Sequence, residues 1–268
     1  MTTTYIAILA IVLYLAAGIK LILRLSKGTQ TTPHKGPVLA LGFAAIFLHA
    51  WVLYQNLFVV NGLNMGIFNA LSLLSWIIAG LILLTSFTQP VENIGIVALP
   101  LAALALTAEM IIPTEHLVSK QAPTGLKLHI LISILSYSLF CIAAVQAILL
   151  AIQNKHLHSK RPGGFVRALP PLETMETLLF RIVAVAFILQ SFSLLSGSFY
   201  LKDMFAQHLV HKTVLSIAAW LVFATLLIGR WRFGWRGRTA IRWTMSGFIT
   251  LLLAYLGSKY VLEVLLGR

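Results

Sequence analysis

The chain of 268 residues is 59% hydrophobic and only 10% charged, with a mean hydropathy of +0.92. A soluble domain carries about 25% charged residues, and because the deficit runs along the whole chain, a water-soluble fold is excluded. The net charge of +13 would suit a nucleic-acid binder, but the basic residues stand in short loops between apolar runs, where they set topology and meet anionic headgroups. The expected partner is therefore the lipid bilayer and not nucleic acid.

A helix needs about 20 apolar residues to cross a bilayer. Eight such stretches follow one another, at 4–23, 37–58, 66–87, 94–112, 127–153, 177–200, 210–229 and 242–264. They predict an all-α, polytopic membrane helix bundle, a single integral membrane domain over residues 1–268. No positive charge precedes the first stretch, whereas Lys20, Arg24, Lys27 and Lys35 follow it. That pattern predicts a first transmembrane helix with its N-terminus outside rather than a cleaved signal. Thr32-Pro33, Gln89-Pro90, Pro113-Thr114, Pro162-Gly163-Gly164 and Pro170-Pro171 mark the connections. The odd-numbered loops hold eleven Lys and Arg, from Arg24 to Arg238, against Lys120, Lys127, Lys202 and Lys212 around the even ones. The odd loops are thus expected in the cytoplasm, with both termini outside and a multi-pass location in the bacterial inner membrane.

Candidate chemistry is sparse. Cys141 is the only cysteine, which leaves no disulfide, thiolate cluster or dithiol pair. There is no glycine-rich phosphate loop, His-Glu-x-x-His or nucleophile elbow, so no enzyme activity is expected. His34, His116, His156 and His158 fall in loops and read as solvated residues. Polar groups inside a membrane are costly and usually face the bundle interior. His49, two-thirds along the second span, reads either as a buried imidazole bonded to a neighbouring helix or as a ligand. Glu109 is the carboxylate lying well inside a span and would also suit a proton or cation path. His129 and His211 open the fifth and seventh spans from the same side, hence at the same depth. Neutral imidazole is the commonest metal ligand, and two facing helices with one histidine each can hold a planar iron cofactor. The alternative is that both are interfacial residues. His208, one turn before His211, could replace it. The stretch Arg230-Trp231-Arg232-Phe233-Gly234-Trp235-Arg236-Gly237-Arg238 reads as an interfacial anchor.

Several motifs together resemble a known family. Leu128-His129-Ile130-Leu131-Ile132-Ser133-Ile134-Leu135-Ser136-Tyr137 resembles the histidine-led helix of the cytochrome c assembly superfamily of membrane haem proteins (CcsA, CcmC and HemX relatives). Gly66-Ile67-Phe68-Asn69-Ala70-Leu71-Ser72-Leu73-Leu74-Ser75-Trp76 looks like that family's third-span stretch, and Leu48-His49 falls where it carries a transmembrane haem-ligand histidine. Phe180-Arg181-Ile182, Leu195-Ser196-Gly197-Ser198, Trp220-Leu221-Val222-Phe223, Gly234-Trp235-Arg236-Gly237 and Tyr255-Leu256-Gly257 recur in family order. The chain looks like the smaller YpjD/HemX-like branch, since Phe205 to Leu215 lacks the tryptophan-rich loop of the haem-handling members. The family's ligand near the end of span 7 falls around Ile228, and its last external histidine has no counterpart, whereas His211 is new.

The resemblance implies haem as cofactor and other cytochrome-maturation or haem-pathway membrane proteins as partners. Combined with the depth argument, it gives a b-type haem held axially by His129 and His211, with His49 as a deeper haem contact or entry-site ligand. The expected function is cytochrome c maturation or haem handling. The alternative is a transport or transport-accessory subunit without haem, in which His49 and Glu109 line a path.

Overall fold

The computed structural model describes residues 2–26, 36–60, 62–88, 94–158, 169–200 and 210–257. Eight helices, α1 (Thr2–Ser26), α2 (Gly36–Leu57), α3 (Ile67–Thr85), α4 (Gly95–Ile111), α5 (Thr124–His158), α6 (Leu172–Tyr200), α7 (Val210–Phe233) and α8 (Gly237–Leu252), lie on the eight apolar stretches. Six of them are long and apolar enough to cross a bilayer: α1, α2, α3, α5, α6 and α7. The chain is a polytopic helical membrane protein. Its side-chain distribution inverts that of a soluble fold: His49, Gln146, Gln190 and Thr244 are buried, while Phe47, Leu104, Leu131, Ile188 and Leu221 are exposed. Apolar lipid can solvate the second set but not the first. The contacts gather into two units, Met1–Lys120 with His156–Pro170, and Gln121–Lys155 with Pro171–Arg268.

In the first unit α1 packs on α2 and α4, and α3 packs on α4 and α2. Where lipid and protein are equally apolar, helices gain by close packing, which favours small residues at contacts. Ala17, Ala45, Ala79, Ala102 and Ala103 accordingly form the core with Tyr14, Ile46, Leu83 and Leu99. A Cβ on Gly42 would stand 2.6 Å from Leu83 Cδ1, so a larger residue there would oblige the leucine side chain to shift. The Trp76 indole donates to the Ile46 carbonyl at 2.9 Å, giving its N–H the partner that burial requires.

A feature outside the all-helical expectation closes one end of this unit. Three short antiparallel strands, β1 (Phe58–Val59), β2 (Gly62–Asn64) and β3 (Leu117–Ser119), pair in that order. Gly62 has φ 150° and sits against the Val118 carbonyl, a position that no side chain could share. Asn64 Oδ1 accepts from the backbone N–H of Gly66 (3.1 Å) and of His116 (3.0 Å). The loops after α2 and α4 therefore lie at the same end of the unit. Beside them Trp51, Tyr54 and Phe58 form an exposed aromatic ladder, as expected where headgroups meet hydrocarbon.

In the second unit Phe140 stacks on Phe223 at 4.0 Å and Phe187 on Trp220 at 5.2 Å. The basic-aromatic stretch is more compact than an anchor between two distant spans. Helix α7 runs to Phe233 and α8 begins at Gly237. Gly234, at φ 64°, turns the chain, its N–H bonding back to the Arg230 carbonyl at 3.1 Å. Glu176 Oε1 then accepts the Gly237 N–H at 2.7 Å and caps α8. After Leu252 a π-helical turn, Leu253–Gly257, continues the chain, and the Leu251 carbonyl accepts from the Tyr137 hydroxyl at 3.3 Å.

Candidate functional site

His129 stands in the second turn of α5, half-buried, in the second unit. Its Nδ1 meets Ser196 Oγ on α6 at 2.9 Å. The Ser196 hydroxyl donates its hydrogen to the Ser193 carbonyl at 3.0 Å, so towards the imidazole it acts as acceptor. Nδ1 then carries the ring hydrogen and Nε2 keeps its lone pair, a tautomer assigned from this network. The Ser193 carbonyl also lies within reach of the ring, while among the described residues no hydrogen bond to Nε2 is seen. Below it the contact continues as a polar seam between α5 and α6. Ser133 Oγ meets Ser193 Oγ at 2.7 Å, and the Ser136 hydroxyl lies 3.0 Å from the Ala186 carbonyl and 3.2 Å from Gln190 Oε1. The positions 129, 133 and 136 recur at helical spacing, so one face of α5 carries all three.

The first turn of α7 comes close enough for the Lys212 charge to act on the His129 ring. The Lys212 ammonium also stands 4.8 Å from the centre of the Tyr255 ring. His211 is the second residue of α7; its side chain lies outside the described residues, as do that of His158 and the whole of His34 and His208. His116 is exposed, near the strands.

His49 belongs to the first unit and to a different chemistry. It is fully buried, and both its nitrogens are taken: Nδ1 by the Tyr14 hydroxyl at 3.2 Å, Nε2 by Ser72 Oγ at 2.8 Å. Both ring nitrogens are thus bonded to neighbouring helices. An iron at either nitrogen would have to displace Tyr14 or Ser72. Further along, Glu109 Oε1 accepts from Asn56 Nδ2 at 2.9 Å, and Ser72 lies close enough to act on the same carboxyl. Four helices thus contribute to one buried polar line.

Sequence reasoning missed Ser196, Ser193, Tyr14, Ser72 and Asn56 as partners. The serines were visible as pairs three apart, 133 with 136 and 193 with 196. For Tyr14 no signal existed, since one tyrosine in an apolar helix does not announce its partner.

The family model described as "Cytochrome C assembly protein" matches residues 38–266, which takes in every helix but α1. The chain belongs to the cytochrome c assembly protein family. Within that family it is 32% identical over 266 residues to "Inner membrane protein YpjD" of Escherichia coli (strain K12), covering 97% of this chain and 98% of that protein. It is 28% identical over 211 residues to "Cytochrome c biogenesis protein CcsA" of Chlamydomonas reinhardtii, covering 74% of this chain and 58% of that one. With "Protein HemX" of Brevibacillus brevis it shares 23% identity over 218 residues, 77% of this chain and 80% of the relative. No solved structure matches. As a member of the cytochrome c assembly family, the protein is a membrane protein of the cytochrome c biogenesis type, which agrees with the resemblance read from the motifs.

Proposed function

We propose that this cytochrome c assembly family member binds a b-type haem in the bacterial inner membrane and serves cytochrome c maturation or haem handling. The observation that carries the reading is the state of His129, with Nδ1 anchored by Ser196 and Nε2 presenting a lone pair. A histidine that ligates metal through one nitrogen normally has the other fixed by a hydrogen bond, which sets both tautomer and ring orientation. His129 meets that requirement, whereas a haem contact at His49 would have to displace Tyr14 or Ser72.

His211 supplies the second axial imidazole in this reading, because its place in the first turn of α7 puts it next to Lys212, whose charge reaches His129. Lys212 offers a cation to the carboxylates of the haem. Held by His129 and His211, the haem would supply electron transfer, carriage or sensing. Eight crossings with both termini outside would set His129 and the start of α7 on the external side, where an apocytochrome or a haem-pathway membrane protein could meet them.

The test is the absorption spectrum and pyridine haemochrome of the detergent-purified protein beside His129→Ala and His211→Ala. A near-stoichiometric b-type spectrum, lost in either variant, is expected. A wild type that stays colourless when haem is supplied during expression overturns the reading and leaves the transport-accessory alternative.

A further inference from the structure

The polar line of the first unit ends on a carboxyl with an oxygen to spare. Glu109 is 6% exposed, near the C-terminus of α4. Oε1 accepts from Asn56 Nδ2, but Oε2 is buried and makes no hydrogen bond. Among the described residues its recorded partners, Asn56 and Ser72, are neutral. The titratable and charged groups on the first-unit elements around it are Tyr5, Tyr14, Lys20 and Arg24 on α1, and His49 and Tyr54 on α2, while α3 has none and Glu109 is the only one on α4. Glu115, His116 and Lys120, on the segment after α4, are exposed. Tyr5 and Tyr54 are exposed. Lys20 and Arg24 belong to the far end of α1, because Gly18 is level with Pro100, whereas Ala7 and Ala10 pack with Leu106 near Glu109. Tyr14 and His49 are bonded to one another. An ionised carboxylate left unpaired in a low-dielectric interior is strongly disfavoured and takes up a proton instead.

We propose that Glu109 is a proton-binding site, its carboxyl carrying a proton on Oε2 at neutral pH while Oε1 serves as the carbonyl that receives Asn56. The geometry distinguishes the two oxygens: the one that accepts a hydrogen bond is the carbonyl, and the one without a donor bears the hydrogen. Ser72, held from the other side by the imidazole of His49, lies beside the same carboxyl. The ligand is a proton and not a metal cation, because among the described residues only Asn56 and Ser72 side chains are recorded against the carboxyl, where a hard cation takes about six or more oxygen ligands. Loss of the proton would place a negative charge among α1, α2 and α4, so the site responds to pH or to an approaching cation. The site is built from residues of the first unit alone, and its chemistry does not call on haem.

The experiment is infrared spectroscopy of the full chain in phospholipid nanodiscs at neutral pH, in H2O and D2O. Wild type should show the carbonyl stretch of a protonated carboxylic acid, moved to lower frequency in D2O and absent in Glu109→Gln. Asn56→Ala should raise its frequency, as for a carbonyl that has lost a donor, and Glu176→Gln should leave it in place. If Glu109→Gln fails to fold, Glu109→Asp keeps an acid and should shift the band rather than abolish it. A wild type without the band, a band that survives Glu109→Gln, or a carboxylate stretch that responds to sodium overturns the proposal.

Discussion

Each unit keeps a histidine within its helices, and the two are held in opposite ways. In the first, His49 is fully buried with Tyr14 on one nitrogen and Ser72 on the other; in the second, His129 is half-buried, tied through Nδ1 alone. A ring satisfied at both ends joins three helices and has nothing left to offer a ligand. A ring satisfied at one end is oriented and still able to bind. The number of engaged nitrogens sets what each imidazole would have to give up before it could take a ligand.

The comparison breaks most readily at His49. His49→Ala should cost about 2–5 kcal/mol, since it opens a cavity and strands the Tyr14 and Ser72 hydroxyls. A thermal melt in detergent should show that loss, whereas apo His129→Ala, which gives up one hydrogen bond in a half-buried place, should move by about 1 kcal/mol or less. Equal losses would mean that both rings are structural. Next in size is Ser196→Ala, which leaves His129 in place but frees its Nδ1. Haem titration should show affinity weakened by about 10- to 100-fold, the usual effect of losing a ligand's supporting hydrogen bond, with the melt of the apo protein little changed. Ser72→Ala in the first unit should do the reverse, costing about 1–3 kcal/mol of stability with haem titration unchanged. The smallest effect is expected at Thr244, whose buried Oγ1 has no hydrogen-bond partner. Thr244→Val removes an unsatisfied hydroxyl at nearly constant volume, so the melt should stay within about 0.5 kcal/mol or rise.

Much of the fold was legible because a bilayer imposes a simple rule, long apolar runs separated by charged loops. Helices α1 to α7 begin and end within a few residues of the stretches read from the sequence, except that α5 runs on to His158 and α6 starts at Leu172. Backbone hydrogen bonding continues a helix past the hydrocarbon, and hydropathy does not record that. The start of α8 was read at 242 and is Gly237, because a positive φ at Gly234 and a cap from Glu176 outweigh the polarity of the stretch. The strands escaped notice for a different reason: two- and three-residue strands carry no period, and their pairing depends on residues far apart in the chain. At the sites, the histidines stood out as costly residues in apolar helices. Their serine and tyrosine partners did not, because hydroxyls are common in membrane helices and only their geometry singles them out.

The small sheet also bears on how the protein is made. Strand β2 leaves the ribosome before α3, and its partner β3 follows only after α4. Asn64 and Leu117 can pair only if the chain returns to the side it left, which requires the two intervening helices to have been threaded in opposite directions. A nascent chain in which α4, the short helix with Pro100 in its middle, fails to integrate would leave β2 and β3 on opposite faces of the bilayer, with their backbone groups unpaired. Closure of the sheet thus has to wait until α3 and α4 have both been laid down.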